Sequence, residues 1–237
     1  MAARSETPTS NNPCLERHRS ATTTGPLLTI NPWWDVTQRL LAVLGLLLSV
    51  PVLAIAFVLV KTTSRGPFLF RQVRRGYGGE PFCVYKVRSL HVNSEQATAL
   101  GVASGDASVT RIGRVLRRFK IDELPQMWNI INGTMSLVGP RPTPIALEDE
   151  LARHIPNFSE RHRAKPGLSS FSQVTIVDNR LGSDLVKDWG ERFEADMHYI
   201  RNKCFAYDLA VIVLTGLYLL RSMLRPVFRS RPNATAN

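Results

Sequence analysis

An α/β fold, mostly helical with a small β-hairpin and attached to a membrane by an N-terminal apolar helix, is the architecture that three stretches of the sequence predict. Residues 40–60 (LLAVLGLLLSVPVLAIAFVLV) carry no charge across 21 positions. GPFLFRQVRR and EPFCVYKVRS, joined by GYGG, read as the two apolar, β-rich strands of a hairpin. RIGRVLRRFK places Ile112, Val115, Leu116 and Phe119 at helical spacing on one face, with Arg111, Arg114 and Arg118 on the other.

Each element follows in order. Residues 1–31 are rich in Ser, Thr, Asn and Pro without an apolar period, which predicts a disordered tail. They lack the layout of a cleavable signal, since the apolar run begins only after Arg39. As a helix, residues 40–60 cover roughly 30 Å at 1.5 Å per residue, the thickness of a bilayer's hydrocarbon core. A soluble core helix of that length keeps a polar face, and this one has none. Pro51 near its middle removes a backbone hydrogen bond and bends it. Basic residues flank both ends: Arg17, Arg19 and Arg39 before, Lys61, Arg65, Arg71, Arg74 and Arg75 after. The positive-inside bias therefore sets no orientation. A spanning helix and one broken at Val50-Pro51, entering and leaving by the same face, satisfy the composition equally.

The small polar residues from about 93 to 110 predict a mobile loop. Pro125 suits the first turn of a helix that continues through QMWNII to Gly133. Residues 209–220 (LAVIVLTGLYLL) are apolar for only 12 positions, and Arg221, Arg225, Arg229 and Arg231 follow. That run is short for a crossing and predicts an interfacial or core-packed helix with a basic, lipid-facing tail.

Lys and Arg outnumber Asp and Glu by 30 to 19 in 237 residues, a net charge of +11 and a pI near 10.2. The excess favours nucleic acid, acidic lipid head groups or phosphorylated small molecules without choosing among them. Cys14, Cys83 and Cys204 form no CxxC pair and the five histidines no HExxH. This argues against a disulfide framework, a zinc site or a histidine metal site, and suits a reducing compartment.

Within this basic chain, KIDELPQMWNIINGTMSLVGPRP sets Asp122 beside Glu123. Two readings stand. In the first, Asp122 is an N-cap and Glu123 a first-turn acid, both favoured by the helix dipole. In the second, a carboxylate held ionised by the dipole and arginines binds Mg²⁺ or attacks phosphorus, with arginine forks neutralising phosphate oxygens. GPRP holds Arg141 on a stiff turn between Pro140 and Pro142; the guanidinium points either to solvent or to a phosphate.

The chain closely resembles the bacterial sugar transferases, the monotopic polyprenyl-phosphate phosphoglycosyl transferases. The resemblance is carried by GPFLFRQVRRG, FCVYKVRSL, TRIGRVLRRFKIDELPQMWNIINGTMSLVGPRP, AKPGLSSFSQV and EADMHYIRN, in family order. DELPQ followed by SLVGPRP is its most specific part. The resemblance implies that Asp122 attacks the sugar-side phosphorus of a UDP-sugar and releases UMP. A polyprenyl (undecaprenyl) phosphate then attacks the phosphosugar-aspartyl intermediate. It implies Mg²⁺ with Asp122 as ligand, and Glu123 as an orienting group or proton acceptor. Substrate contacts fall to Lys86, Arg88, Arg117, Arg141, Arg180 and Asp196. The implied anchor is re-entrant, broken at a Ser-Pro step, on the cytoplasmic face of a bacterial inner membrane. The expected units are a disordered tail (1–31), a re-entrant helix broken at Pro51 (32–61), a catalytic domain (62–208) and an interfacial helix with a basic tail (209–237).

Some positions depart from the family pattern. Val50 replaces the serine of the Ser-Pro step, with Ser49 one place earlier. NPWWDVTQR offers no clean counterpart of the family's basic pair and acid. Thr134 stands where the family has an acid, and SSFSQ (169–173) where it has TG-x-AQ. Two other classes fit parts of the chain. A non-catalytic membrane-anchored module binding acidic lipid or nucleic acid explains the charge but leaves DELPQ and GPRP without a role. A conventional glycosyltransferase, releasing UDP, lacks its DxD-type metal motif here. The enzyme reading implies no nucleic-acid partner.

Overall fold

A computed structural model describes residues 25–91, 108–176 and 185–224. The first described helix is α1 (Pro32–Thr63), 32 residues long and started by Asn31, whose side chain accepts from the Trp33 and Trp34 amides. The expected break at Pro51 does not end it: the backbone stays helical on both sides. Only a narrow stripe of α1 is buried, namely Gln38, Ala42, Ser49, Ala56 and Val60, at spacings of four and seven residues. That stripe runs the helix along the body like a seam. The rest, including Leu40, Leu47, Leu48 and Ile55, is exposed and apolar.

The hairpin follows as expected. β1 (Leu69–Arg75) pairs antiparallel with β2 (Pro81–Val87) across a tight turn at Tyr77–Gly79. α2 (Arg111–Arg118), a 3-10 turn (Ile121–Gln126) and α3 (Met127–Ile131) come next. β3 (Ser136–Val138) then pairs in parallel with β4 (Gly167–Ser169), enclosing α4 (Ile145–His154) and a second 3-10 turn (Phe158–Arg163). α5 (Phe171–Thr175), α6 (Leu185–Asn202) and α7 (Phe205–Leu224) complete the described residues.

Three apolar clusters hold these elements together. One gathers Leu147, Leu151, Phe158, Phe193, Met197 and Val211 from α4, the second 3-10 turn, α6 and α7. A second joins Ala42 of α1 to Phe82, Val84, Ile130 and Met135. The third joins Ala56 and Val60 to Val87 and Leu116. Each cluster draws from elements far apart in sequence, so the seam along α1 belongs to the core.

Several expectations are corrected here. Residues 25–31 do not belong to a free tail. Leu28 N donates to the Arg163 carbonyl at 2.8 Å, Gly25 N to Glu160 at 3.1 Å, and Arg163 Nε to the Pro26 carbonyl at 2.8 Å. Residues 1–24, most of the loop expected at 93–110, Arg180 and the basic tail beyond residue 224 lie outside the described residues. Val115 is 38% exposed instead of facing the core, while Leu116 is buried. Arg118 is not on a purely solvated face: its guanidinium donates to the Ser222 carbonyl of α7 at 2.9 Å. α7 is 20 residues long, not 12, and most of its apolar side chains are exposed.

Candidate active site

A chain reversal brings the acid pair into a group of bases. Thr110 caps α2, its Oγ1 accepting from Gly113 N at 2.8 Å. α2 lies hard against the chain leaving β2, because a Cβ on Gly113 would meet the Ser89 carbonyl oxygen at 2.0 Å. Beyond α2, Lys120 adopts a left-handed φ of 55°, uncommon for a residue with a side chain. It turns the chain into the 3-10 turn that carries Asp122 and Glu123. The capping position is Lys120, so the first of the two readings, Asp122 as an N-cap, does not hold; both acids sit in the first turn.

The two carboxylates differ sharply in surroundings. Glu123 meets Lys86 at 3.1 Å, Arg141 at 2.9 Å and Lys120 at 3.9 Å. Burial works to raise its carboxyl, but Lys86, Arg141 and Lys120 outweigh it and hold it well below the usual carboxylate range. Asp122, by contrast, is pushed up by burial and by the adjacent Glu123, against the pull of Lys86, Lys120 and Arg117. The role of a carboxylate held ionised by cations thus falls to Glu123. Asp122 Oδ1 is buried without a hydrogen-bond partner. A buried, unpaired carboxylate oxygen is costly in a structure that has no use for it.

The GPRP turn approaches from the other side. A Cβ on Gly139 would lie 2.1 Å from the Lys165 carbonyl oxygen, so only glycine permits this crossing with the residues before β4. Gly167 N donates to the Pro140 carbonyl at 3.0 Å. Arg161 donates to the Arg141 carbonyl at 2.7 Å, and the Arg74 guanidinium bonds the Pro142 carbonyl. Arg141 itself points at Glu123 and not to solvent.

Between these parts lies a cleft of about 360 Å³, within the range of small-molecule sites. Lys86, Arg88, Arg117, Asp122, Glu123 and Arg141, all expected from sequence, line it together. Arg88 is held by Ser64, which ends α1, donating to its carbonyl and hydroxyl at 2.9 Å each. Arg117 Nε donates to Ser89 Oγ at 2.8 Å.

Asp196 is not on the cleft wall. It is 1% exposed, bonded to Arg161 at 2.6 Å and to Ser172 at 3.3 Å, so its connection to the site runs through Arg161. Residues that sequence reasoning missed are Arg74, Lys120, Trp189 and Arg192 on the wall, and Arg161 behind it. Arg74 sits two alternations from Phe70 on the same strand face, which was the available signal. Asp35 was missed too: it pairs with Arg39 and Lys165, both at 2.7 Å, an acid with two bases at the head of α1.

Among the described residues, no group of three or more His, Cys, Asp or Glu could hold a metal. Mg²⁺, however, is satisfied by one or two carboxylates with water and substrate phosphate oxygens. The unpaired Oδ1 of Asp122 meets that requirement.

The model of the bacterial sugar transferase family matches residues 31–222. Over 190 residues the chain is 40% identical to the UDP-glucose:undecaprenyl-phosphate glucose-1-phosphate transferase of Caulobacter vibrioides, covering 78% of this chain and 70% of the relative. It is 39% identical over 176 residues to the UDP-N-acetylgalactosamine-undecaprenyl-phosphate N-acetylgalactosaminephosphotransferase of Aeromonas hydrophila, covering 74% of this chain and 41% of the relative. Against the UDP-glucose:undecaprenyl-phosphate glucose-1-phosphate transferase of Escherichia coli it is 38% identical over 175 residues, 74% of this chain but 37% of that relative. The chain therefore spans about two fifths of the length of the last two.

Proposed function

The chain belongs to the bacterial sugar transferase family, and from that membership we propose that it transfers a sugar-1-phosphate from a UDP-sugar to polyprenyl phosphate. The observation that carries the reading is the unpaired, buried Oδ1 of Asp122, a residue that lines the cationic cleft. In the first step an Asp122 oxygen bonds to the sugar-linked phosphorus while the bond to the nucleotide phosphate breaks, releasing UMP with the electron pair. In the second a polyprenyl phosphate oxygen attacks that phosphorus, and the Asp122–phosphorus bond breaks to restore the carboxylate. Lys86, Arg88, Arg117 and Arg141 offset charge on the phosphate oxygens. Glu123, ionised between Lys86 and Arg141, fixes both cations in place. Asp122 would hold Mg²⁺, whose contribution is to neutralise diphosphate oxygens.

The anchor is read as monotopic and re-entrant. From Gln38 to Val60 the same face of α1 packs on the body, a distance of about 33 Å at 1.5 Å per residue. Crossing a bilayer along that length would drag β2 and the polar 3-10 turn into hydrocarbon. Bending within one leaflet does not. Pro51 cannot donate to the Leu47 carbonyl, and Ser49 Oγ donates to the Leu46 carbonyl at 2.8 Å, both weakening the ladder at one turn. Basic residues at both ends then face the same side, the cytoplasmic face of the inner membrane, where the reaction begins a surface polysaccharide or glycoconjugate.

Membranes carrying the full chain, given Mg²⁺, polyprenyl phosphate and a panel of UDP-sugars, are expected to release UMP with at least one donor. UDP as the product, or neither nucleotide, removes the reading. A pH dependence accompanies it. Burial, aided by Arg74 and Arg141 and opposed by Glu123, pulls the Lys86 ammonium down to about 8. Lys86 is therefore charged below that pH and neutral above it, so kcat/KM for the UDP-sugar is expected to fall as pH rises through about 8. Lys86→Arg, which keeps its charge, moves that limb to higher pH; an unchanged limb in this variant assigns it elsewhere.

A further inference from the structure

The cleft has two unlike ends. Phe70, Gln72 and Arg74 of β1 line its floor, and at about 3.3 Å per residue the first and last lie roughly 13 Å apart. The Phe70 end adjoins the anchor helix. Arg88 N donates to the Phe68 carbonyl, the Phe68 ring meets Phe57 of α1 at 5.2 Å, and the Arg88 guanidinium grips Ser64. The wall here is cationic, with Arg88, Arg117 and Lys120. Arg88 Nε and Nη1 are buried without partners. The Arg74 end adjoins the GPRP turn; Arg161, which donates to the Arg141 carbonyl, lies 5.5 Å from the ring of Trp189, and Trp189 lines the cleft with Asp188 and Arg192 of α6. To that end, beside Arg74 and Arg141, α6 brings one acid, one base and an indole.

The chemistry decides which part of the donor each end receives. In-line displacement puts attacking and departing oxygens on opposite sides of phosphorus. Asp122 enters opposite the nucleotide phosphate. The polyprenyl phosphate oxygen that later displaces Asp122 enters opposite Asp122, from the side the nucleotide vacated. The two phosphates thus occupy one place in turn. A polyprenyl chain stays with apolar surface, so that place faces α1, beneath Arg88 and Arg117. The sugar, which never leaves its phosphorus, has the part of the cleft away from α1.

We infer that Trp189, Asp188 and Arg192 form the sugar-recognition wall of the cleft, the indole stacking on the apolar face of the pyranose while the carboxylate and guanidinium read its hydroxyls. This assignment rests on the two-step reaction proposed above. Trp189 is built as a platform. The buried Phe158 supports it edge-on, with centroids 6.4 Å apart and planes at 81°, and the buried Arg161 guanidinium lies 5.5 Å from its centre. A balanced acid and base suit neutral hydroxyls, as clustered cations suit phosphates. The Thr134 and Ser169–Gln173 departures are not on this wall.

The test uses the full chain in membranes, with UDP-glucose and UDP-N-acetylgalactosamine as donors, undecaprenyl phosphate as acceptor and UMP as product inhibitor. Trp189→Leu is expected to lower kcat/KM for the better donor at least about tenfold, and Arg192→Gln to change the ratio between the donors by about fivefold or more. Inhibition by UMP and the KM for undecaprenyl phosphate stay within about twofold of wild type, since both bind at the other end. If Trp189→Leu does not accumulate, Trp189→Phe, which keeps an aromatic face, carries the test with a smaller loss in the same pattern. UMP inhibition that weakens in step with the donor places the uracil on Trp189 and overturns the inference. Equal losses for both donors with an unchanged ratio reduce the wall to packing and overturn it as well. A wild-type chain that releases no UMP from any UDP-sugar sinks the reaction itself, a result distinct from either.

Discussion

Asp122→Asn is expected to abolish UMP release, by at least about 10³-fold, while the variant accumulates in membranes as the wild type does. The substitution separates the two roles open to this residue. A first-turn acid with only a structural part loses little on becoming an amide, so that role predicts little change. An amide, however, is no nucleophile toward phosphorus. Stability points the same way. Burial and the adjacent Glu123 both disfavour a charge on Asp122, so removing that charge costs the fold little. Normal membrane yield and thermal midpoint with lost UMP release fit a carboxylate that bonds to phosphorus. Turnover retained within tenfold removes Asp122 as the nucleophile. Mass spectrometry of wild type quenched with UDP-sugar and no acceptor is expected to find a hexose-phosphate on the peptide containing Asp122.

Much of this site was legible because its parts are short and local. Alternating apolar residues fixed the hairpin, and so placed Lys86 opposite Phe70 on the cleft floor. DELPQ and GPRP each name their own turn. What joins them is not local: Glu123 meets Arg141 only because Gly139 lets β3 cross the residues before β4 at contact distance. The true length of α7 was hidden for a different reason. Asp208 interrupts the apolar run in sequence, yet it is buried, accepting from Tyr199 at 2.7 Å and Trp34 at 2.8 Å, so its charge never faces the helix's exposed side. Asp35 and Lys165 lie 130 positions apart, and no pattern within α1 reveals their pairing. The resemblance implies a substrate contact at Asp196, and a matched motif position does not distinguish a carboxylate on a wall from one behind it.

Placing Asp196 behind the wall leads to the second large effect. Arg161 is the link: it donates to Asp196 at 2.6 Å, to the Arg141 carbonyl at 2.7 Å and to Thr143 Oγ1 at 3.2 Å. The ion pair is almost wholly buried, 3% and 2% exposed on the two side chains. Removing either partner alone strands a charge in the interior and costs about 3–5 kcal/mol, so Arg161→Met by itself is expected to lower membrane yield and thermal midpoint. Replacing both with apolar groups of similar volume is often neutral in stability, and Arg161→Met/Asp196→Leu is expected to accumulate near the wild-type level. Its activity is expected not to follow. Without Arg161 the Arg141 carbonyl loses that donor, and a displacement near 1 Å of a phosphate-directed guanidinium costs about 10²-fold in rate. Initial rates of UMP release, measured beside thermal midpoints, separate the two contributions. A double variant as active as it is stable leaves the rigidity of the turn to Pro140 and Pro142 and strips the buried pair of any part in positioning Arg141.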